Sequence, residues 1–591
     1  MKRFTFLMTG MMAALCHIQT TAAAEGWPVN YGGVMLQGFY WDSYNDTKWT
    51  NLESQAETLA EYFDLIWVPQ SGYCNSLSNQ MGYSDIWWFD QKSCFGTADE
   101  LKSMIQTFKS KGLLTIADVV INHKNGNTSW CDFPTETWNN QTMTWSLADI
   151  CQTDECNNSG NLPKWSNNGQ KATGAKDTGS NFDGCRDLDH TSANVQKNIK
   201  LYLQFLQEEM GYAGFRYDMT GGYAPAYTKI YNEAANPAYS VGEYWMNDGL
   251  SGLQKWIDGT GKTSAAFDFQ LKGLINNSFN NNSWSQLANY TSQSLIGSGY
   301  DRYAVTFADN HDTGRSDQNN GANMLRSNIE AANAYILTMP GTPCVWLTHW
   351  MGYKEAIKKQ IRARKLAGVT NQSKVVESKG EANGYSVSVQ GENGKMLLCL
   401  GITTTSTSGY QLVAQGTNYK LYISDDIDAT DIQEDEKTEE ETTYPDCVKY
   451  IEGKFFAYFE KPATGWNSVN VWVWNKNSTG EEYLGKSWPG VAATKVGTAD
   501  NGNEIWLWTT DNSAAPDFII FNNNAGQQTA NLDFINGGYY NVTGGHSVVT
   551  GIENTKRQET IKDDRYFSIS GQQALPGRHG VYIHKGKKII K

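Results

Sequence analysis

Between Val34 and Trp350 the chain carries eight short apolar runs: VMLQGFYW, DLIWVP, LLTIADVVI, GFRYD, SVGEYW, AAFDF, AVTFAD and TPCVW. They scarcely alternate with polar residues, which is the pattern of strands covered on both faces. Amphipathic stretches lie between them. From Thr97 to Lys111 the pattern predicts a helix with Thr97 as N-cap, Asp99 and Glu100 in the first turn, Leu101, Ile105 and Phe108 on one face, and Gly112 as the stop. Ser192 to Met210 predicts a second, with Val195, Ile199, Leu203 and Leu206 on one buried stripe. Strand and helix alternating in this way predict an α/β fold, a (β/α)8 TIM barrel, with a doubly wound sheet as the alternative.

The interval from Asp118 to Asp218 is too long for one βα unit. The excess, about 123–187, is rich in Asn, Thr, Trp and Cys and has little periodicity, so it reads as an irregular subdomain inserted after the third strand. After a last helix from Lys354 to Ala367, the alternating segments GYSVSVQ, KMLLCLGI and YKLYIS predict a small antiparallel β domain. The run DDIDATDIQEDEKTEEE follows, with ten acids and one Lys; it repels itself and predicts an extended linker. Beyond it, strand-like runs separated by Asn and Gly turns predict a β-sandwich. The expected organisation is a leader at 1–24, a barrel at 25–355 with its insertion, the β domain at 356–424, the acidic linker at 425–446, the sandwich at 447–548 and a C-terminal β segment at 549–591.

The leader reads as an export signal, with Lys2 and Arg3, an apolar stretch from Phe4 to Leu15, and Ala22-Ala23-Ala24 at the cleavage site; the expected location is secreted, extracellular or at the cell surface. No later run reaches the ~20 apolar residues of a membrane span. Without the leader nine cysteines remain, an odd number, of which Cys131, Cys151, Cys156 and Cys185 share one loop-rich stretch and are the candidates for cross-linking. The net charge of -14 argues against nucleic acid as a partner, which demands a basic face. A neutral ligand fits better, and 21 Trp and 31 Tyr suit stacking on sugar rings.

Three of the apolar runs end in acids: Asp218 after GFRY, Glu243 within SVGEYW, and Asp312 after VTFADNH. One such acid alone would read as a solvated loop carboxylate. Three at strand ends, with Arg216, His311 and His123 at neighbouring positions, read as a site for cleaving a glycosidic bond. Asp218, held ionised by Arg216, suits a nucleophile; Glu243, beside Tyr244 and Trp245, suits a proton donor in apolar surroundings; Asp312 and His311 suit stabilisation of the flattened sugar ring.

DVVINH, GFRYD, GEYW and FADNHDT resemble, in order and spacing, the four signature segments of the α-amylase family (glycoside hydrolase family 13), and NFDGCRDLDH and YTKIYNEAANPAYSVGEYW are most similar to the short-loop subgroup that includes plant α-amylases. The resemblance extends over Tyr31 to Ser424. It implies Asp218 as nucleophile, Glu243 as proton donor and Asp312 as transition-state stabiliser, with Arg216, His123, His311 and Tyr83 around the innermost sugar. It also implies a structural Ca2+ held by Asn122, Asp187 and the Gly222 carbonyl; sequence alone would rate Asp187 a surface acid. Gly221 departs from the family's usual Lys, which puts affinity on the leaving-group side in doubt.

Within the sandwich, GWNSVNVWVWN, SWPG, FIIFNNNAGQQTANL and GGYY resemble family 26 starch-binding modules, pointing to Trp472, Trp474, Trp488 and Gln528 as ligand contacts. In NSVNVWVWN the valines share one strand face and the indoles the other; EIWLWT sets Ile505 and Leu507 against Trp506 and Trp508. If the aliphatic face is the core, both sets of indoles face outward; the alternative is that the indoles fill the core. The final ISGQQ and GVYIHKGKKIIK resemble C-terminal sorting segments of type IX secretion substrates. The resulting expectation is a secreted, calcium-binding, retaining endo-α-amylase acting on starch, amylose, amylopectin or glycogen-type α-glucans. The alternatives are an exo-acting maltooligosaccharide-forming or transglycosylating relative and a non-catalytic starch-capture protein.

Overall fold

The eight apolar runs form eight parallel strands, β1 (Met35–Gln37), β2 (Leu65–Val68), β3 (Leu114–Val119), β4 (Gly214–Tyr217), β5 (Tyr239–Gly242), β6 (Ala265–Phe267), β7 (Ala304–Phe307) and β8 (Thr342–Trp346). Each pairs with the next and β8 returns to β1, closing a barrel. Apart from the first residues of β3 and β5, every strand position is buried, as the lack of alternation requires. The computed structural model describes residues 25–165, 170–317, 321–434, 444–451, 454–475, 478–499, 501–512, 514–542 and 544–548, with short strands between 566 and 590. The expected leader lies outside the described residues.

Local chemistry sets the helix ends. Helix α1 (Ala98–Ser110) begins with a reciprocal capping box between Thr97 and Glu100, and Gly112 follows at φ 86°. Helix α2 (Ala193–Phe205) buries Val195, Ile199 and Leu203, and continues through a wider turn, Leu206–Met210, to a left-handed Gly211. The insertion after β3 is irregular, as expected, and its two ends are clasped by antiparallel pairing of His123–Lys124 with Arg186–Asp187. Helix α3 (Lys354–Ala367) has the expected bounds, straddles the expected boundary at 355/356, and packs on the following five-stranded antiparallel sheet, which spans Lys374–Glu381 to Tyr419–Ser424.

The acidic stretch does not begin as an extended linker. Residues Thr430–Glu434 form helix α4, and Ala429 and Ile432 are buried in the core of the barrel unit. Two apolar residues three apart offset the charge around them. At the other end of the stretch, Tyr444 already packs in a small cluster with Val448 and Phe456.

The chain divides at Glu436/Lys437 into two compact units. In the second, a five-stranded and a four-stranded sheet form the sandwich. Val469, Val471 and Val473 are fully buried in its core, so the aliphatic face of that strand points inward as expected. In the strand Glu504–Thr510 the alternative holds, with indoles on the core side. Trp508 is buried in the same core with Trp506 packed against it, while Ile505 and Leu507 join the cluster of Phe456, Tyr458 and Tyr539. This sheet therefore packs on both faces, and the bulkier side chains fill the space between the sheets. Residues Tyr566–Ser568, Gln573–Ala574, Val581–His584 and Lys587–Ile590 pair as an antiparallel sheet.

Candidate active site

Parallel pairing sets Asp118 beside Arg216, and Tyr217 beside Gly242, at the C-terminal ends of β3, β4 and β5. Asp218 and Glu243 are the next residues along, so both project from the same rim. The Arg216 guanidinium, 1% exposed, is their common partner. Its Nη1 lies 2.8 Å from Asp118 Oδ1 and 2.7 Å from Asp218 Oδ1, and its Nη2 lies 2.9 Å from Glu243 Oε2. Only a planar, forked cation can bridge three carboxyls in this way. Met219, directly after Asp218, is left-handed (φ 44°, ψ 48°), a conformation disfavoured for a side-chain-bearing residue, and its N–H donates to Glu243 Oε2 at 3.0 Å.

A second layer fixes these groups. Asp118 Oδ2 accepts from Trp67 Nε1 at 3.1 Å and from the Tyr83 hydroxyl at 2.9 Å. Because that hydroxyl donates to Asp118, it accepts from His311 Nε2 at 2.8 Å, and His311 Nδ1 accepts from the Gln37 amide at 2.9 Å. The network thus specifies the tautomer of a neutral His311, whose pKa burial lowers to about 3. The rings of Trp41, Tyr83 and His311 lie parallel, with centroids 5.9 Å and 5.5 Å apart for the two successive pairs. Asp312, in the loop after β7, lies 3.4 Å from His311 Nε2 with its side chain 29% exposed.

Four carboxyls (Asp118, Asp218, Glu243 and Asp312) thus gather around one buried guanidinium. Burial pushes the Asp118, Asp218 and Asp312 carboxyls up, while Arg216 pulls each of them down; Asp118 and Glu243 further oppose ionisation of Asp218. This balance runs against the expected ionised Asp218: burial and the neighbouring acids outweigh the pairing with Arg216 and hold its carboxyl well above the usual range. The expected apolar surroundings of Glu243 give way to an ion pair with Arg216, and the neighbouring Tyr244 hydroxyl donates to Asp248 at 2.6 Å.

The structure thus gathers Asp218, Glu243, Asp312, Arg216, His311 and Tyr83. His123 lies behind them: its Nε2 donates to the Tyr83 carbonyl at 2.8 Å, and burial lowers its pKa to about 4. Sequence reasoning missed Asp118, Trp67 and Gln37. The signal for Asp118 was its position opening DVVINH, on the strand that pairs with β4.

Asn122, Asp187 and Gly222 are also neighbours. The Asn122 amide lies 3.5 Å from Asp187 Oδ1, and a methyl in place of the Gly222 hydrogen would lie 1.9 Å from Asn122 Oδ1. Asp187 is 1% exposed and accepts from the Phe182 N–H at 2.9 Å; burial, reinforced by Asp177, Asp154 and Glu155, raises its pKa to about 8. A buried carboxyl among acids, beside the Asn122 side chain with Gly222 close against it, is chemistry that fits a hard divalent cation. Among the described residues none of the nine cysteines from Cys74 to Cys447 is joined in a disulfide.

In the second unit, Trp472 and Trp488 meet edge to face at 5.6 Å, with Trp488 49% exposed, and Trp474 stands two residues from Trp472 on the same strand face, stacked on Phe518 at 5.3 Å. Gln528 is exposed and bridges to Asn522, whose partner across the sheet is Asn470, at the opposite end of the strand from Trp474.

Comparison with known proteins finds relatives of both units. The α-amylase catalytic domain model matches residues 63–384, and the model of starch-binding module 26 matches residues 457–534. The chain is 30% identical to probable alpha-amylase 2 of Arabidopsis thaliana, over 66% of this chain and 93% of that protein. It is 27% identical to a glucan 1,4-alpha-maltotetraohydrolase of Stutzerimonas stutzeri, over 67% of this chain and 73% of that one. An Anoxybacillus alpha-amylase structure superposes with a TM-score of 0.50 at 15% identity, covering 67% of this chain and 96% of that one, which shows a shared fold.

Proposed function

The chain belongs to the α-amylase family and is a starch-hydrolysing glycoside hydrolase with a starch-binding module; on that premise we propose that it is a secreted, retaining endo-α-amylase using Asp218 as nucleophile and Glu243 as proton donor. The observation that carries this reading is the single guanidinium shared by those two acids.

The hydrogen bonds assign the atoms. Glu243 Oε2 is occupied by Arg216 Nη2 and the Met219 N–H, so the acid proton belongs on Oε1, which protonates the leaving oxygen. Asp218 Oδ1 is occupied by Arg216 Nη1, so Oδ2 attacks the anomeric carbon. Glu243 then takes a proton from water as the glycosyl ester on Asp218 is hydrolysed. As the first carboxylate is consumed in the ester, the guanidinium keeps its pairing to Asp118 and Glu243, so the positive charge stays in place through both steps. Asp312 and the neutral His311 face the sugar ring, and Tyr83 offers the ring plane beneath it. In this reading His123 acts from behind, by holding the Tyr83 backbone.

Asn122, Asp187 and the Gly222 carbonyl would hold Ca2+, which when bound supplies the missing countercharge to Asp187 and ties the insertion to the strand ends. The module supports endo attack: Trp472 and Trp474 share a strand face and Trp488 packs edge to face on Trp472, which suits a chain lying sideways rather than an inserted end. Secretion rests on the leader sequence. The exo-acting alternative differs in product kinetics.

The test uses soluble starch and proton NMR of the anomeric centre. The parent is expected to release α-configured reducing ends of mixed length from the outset, and Glu243→Gln to lose at least about a thousandfold in kcat. β-configured products would overturn the retaining step, and a single product length from the first minutes would overturn the endo mode.

A further inference from the structure

The stretch beside the proton donor carries side chains that the mechanism does not use. Thr220 binds the Glu243 carbonyl through its N–H at 3.1 Å and its hydroxyl at 2.8 Å, so the loop after Asp218 and the segment after Glu243 form one wall. On that wall a methyl in place of the Gly221 hydrogen would lie 2.6 Å from Met246 Sδ, 3.1 Å from Cγ and 3.6 Å from Cε. Met246 therefore lies across Gly221. Its neighbour Trp245 stacks on Phe269 with centroids 4.9 Å apart and planes 10° from parallel, and is 44% exposed, so its other face is open. Phe269 is in turn braced by Phe307. An exposed indole held rigidly, beside a half-buried thioether, is a built surface rather than a loose loop.

The side of the cleft is set by Glu243. Its proton goes to the leaving oxygen, so the wall that follows it flanks the leaving group. We propose that Met246, laid across Gly221 beside Trp245, is a specificity-determining residue of the leaving-group side, giving it an apolar floor that favours aryl leaving groups and the C–H faces of sugar rings over groups gripped by hydrogen bonds. This rests on the assignment of Glu243 as proton donor. A thioether offers polarisable contact and only weak hydrogen bonding, and Gly221 contributes no side chain, so selectivity here comes from contact with a flat face.

The test compares kcat/KM for 4-nitrophenyl α-maltotrioside, by nitrophenol release, with that for maltotetraose, by glucose release, in the full chain. Both reactions place three glucosyl units on one side of the cut bond and differ in the leaving group. Intrinsic leaving-group reactivity is common to all variants, so only changes in the ratio count. Met246→Leu keeps an apolar surface and Met246→Asn has nearly the same shape with a polar one; Met246→Gln is a longer polar substitute should the Asn variant fold poorly. The ratio is expected to fall roughly tenfold in Asn or Gln and to stay within about twofold in Leu. An unchanged ratio in every variant, or an equal fall in Leu and Asn, overturns the proposal. Substantial hydrolysis by Glu243→Gln would instead overturn the assignment on which it rests.

Discussion

Arg216 shows how much of this site depends on one side chain. Its two terminal nitrogens serve Asp118, Asp218 and Glu243, and it is fully enclosed. A lysine brings the same charge on one nitrogen and cannot span the three acids. Arg216→Lys is therefore expected to lower kcat by at least about a hundredfold and to destabilise the barrel by about 3 kcal/mol, as when a buried ion pair is broken, read by steady-state kinetics and urea unfolding. Asp118→Asn separates two roles. The amide oxygen still accepts from Trp67 and Tyr83, but its NH2 then faces Arg216 where a carboxylate oxygen stood, so kcat is expected to fall with little change in KM. The sequence made Asp218, Glu243 and Asp312 legible because each ends an apolar run. Asp118 sits inside its run, LLTIADVVI, and its meaning depends on which strand lies alongside, a fact of register that no single run contains.

At the scale of elements, strands and helices followed their patterns because burial on two faces or on one stripe leaves a clear periodic trace. The failures came where packing depends on a neighbour. Trp508 lies in the core because its sheet is covered on both faces, which EIWLWT cannot reveal. In the acidic run ten like charges mask the two apolar residues, Ala429 and Ile432, that dock its first turn on the barrel unit. Those two residues make a testable anchor: Ile432→Asp is expected to undock helix α4, moving the first cut in limited proteolysis upstream of Thr430, at a stability cost of about 2 kcal/mol for the lost burial. On the sandwich, Trp472 and Trp488 meet while Gln528 bridges toward the opposite end of the strand. Trp488→Ala should weaken sedimentation with starch granules several-fold, and Gln528→Ala far less, with hydrolysis of short soluble maltooligosaccharides unchanged in both.

For the whole molecule, the distribution of histidines sets an asymmetry between the two units. His190, His311 and His349 are buried in the first unit, and burial lowers each pKa from 6.5 to about 3. All three are neutral when folded and take up protons near pH 6.5 when unfolded, so the unfolded chain binds more protons between those values. The sign follows: their contribution to stability is present above about pH 6.5 and is lost as pH falls toward 3. No histidine falls between Lys437 and Tyr540, the stretch that supplies the buried core of the sandwich. Scanning calorimetry from pH 7 to pH 4 should therefore show two transitions, with the barrel transition falling steeply and the sandwich transition moving much less. Parallel movement of both would mean that carboxylates spread over the whole chain, rather than these buried rings, govern acid stability. His349→Gln separates the two cases. That ring accepts from the Asn333 amide at 3.2 Å and packs on Trp346, with no hydrogen bond to Asp218, Glu243 or Asp312, so replacing it should flatten the barrel's pH dependence while leaving the pH profile of hydrolysis unmoved.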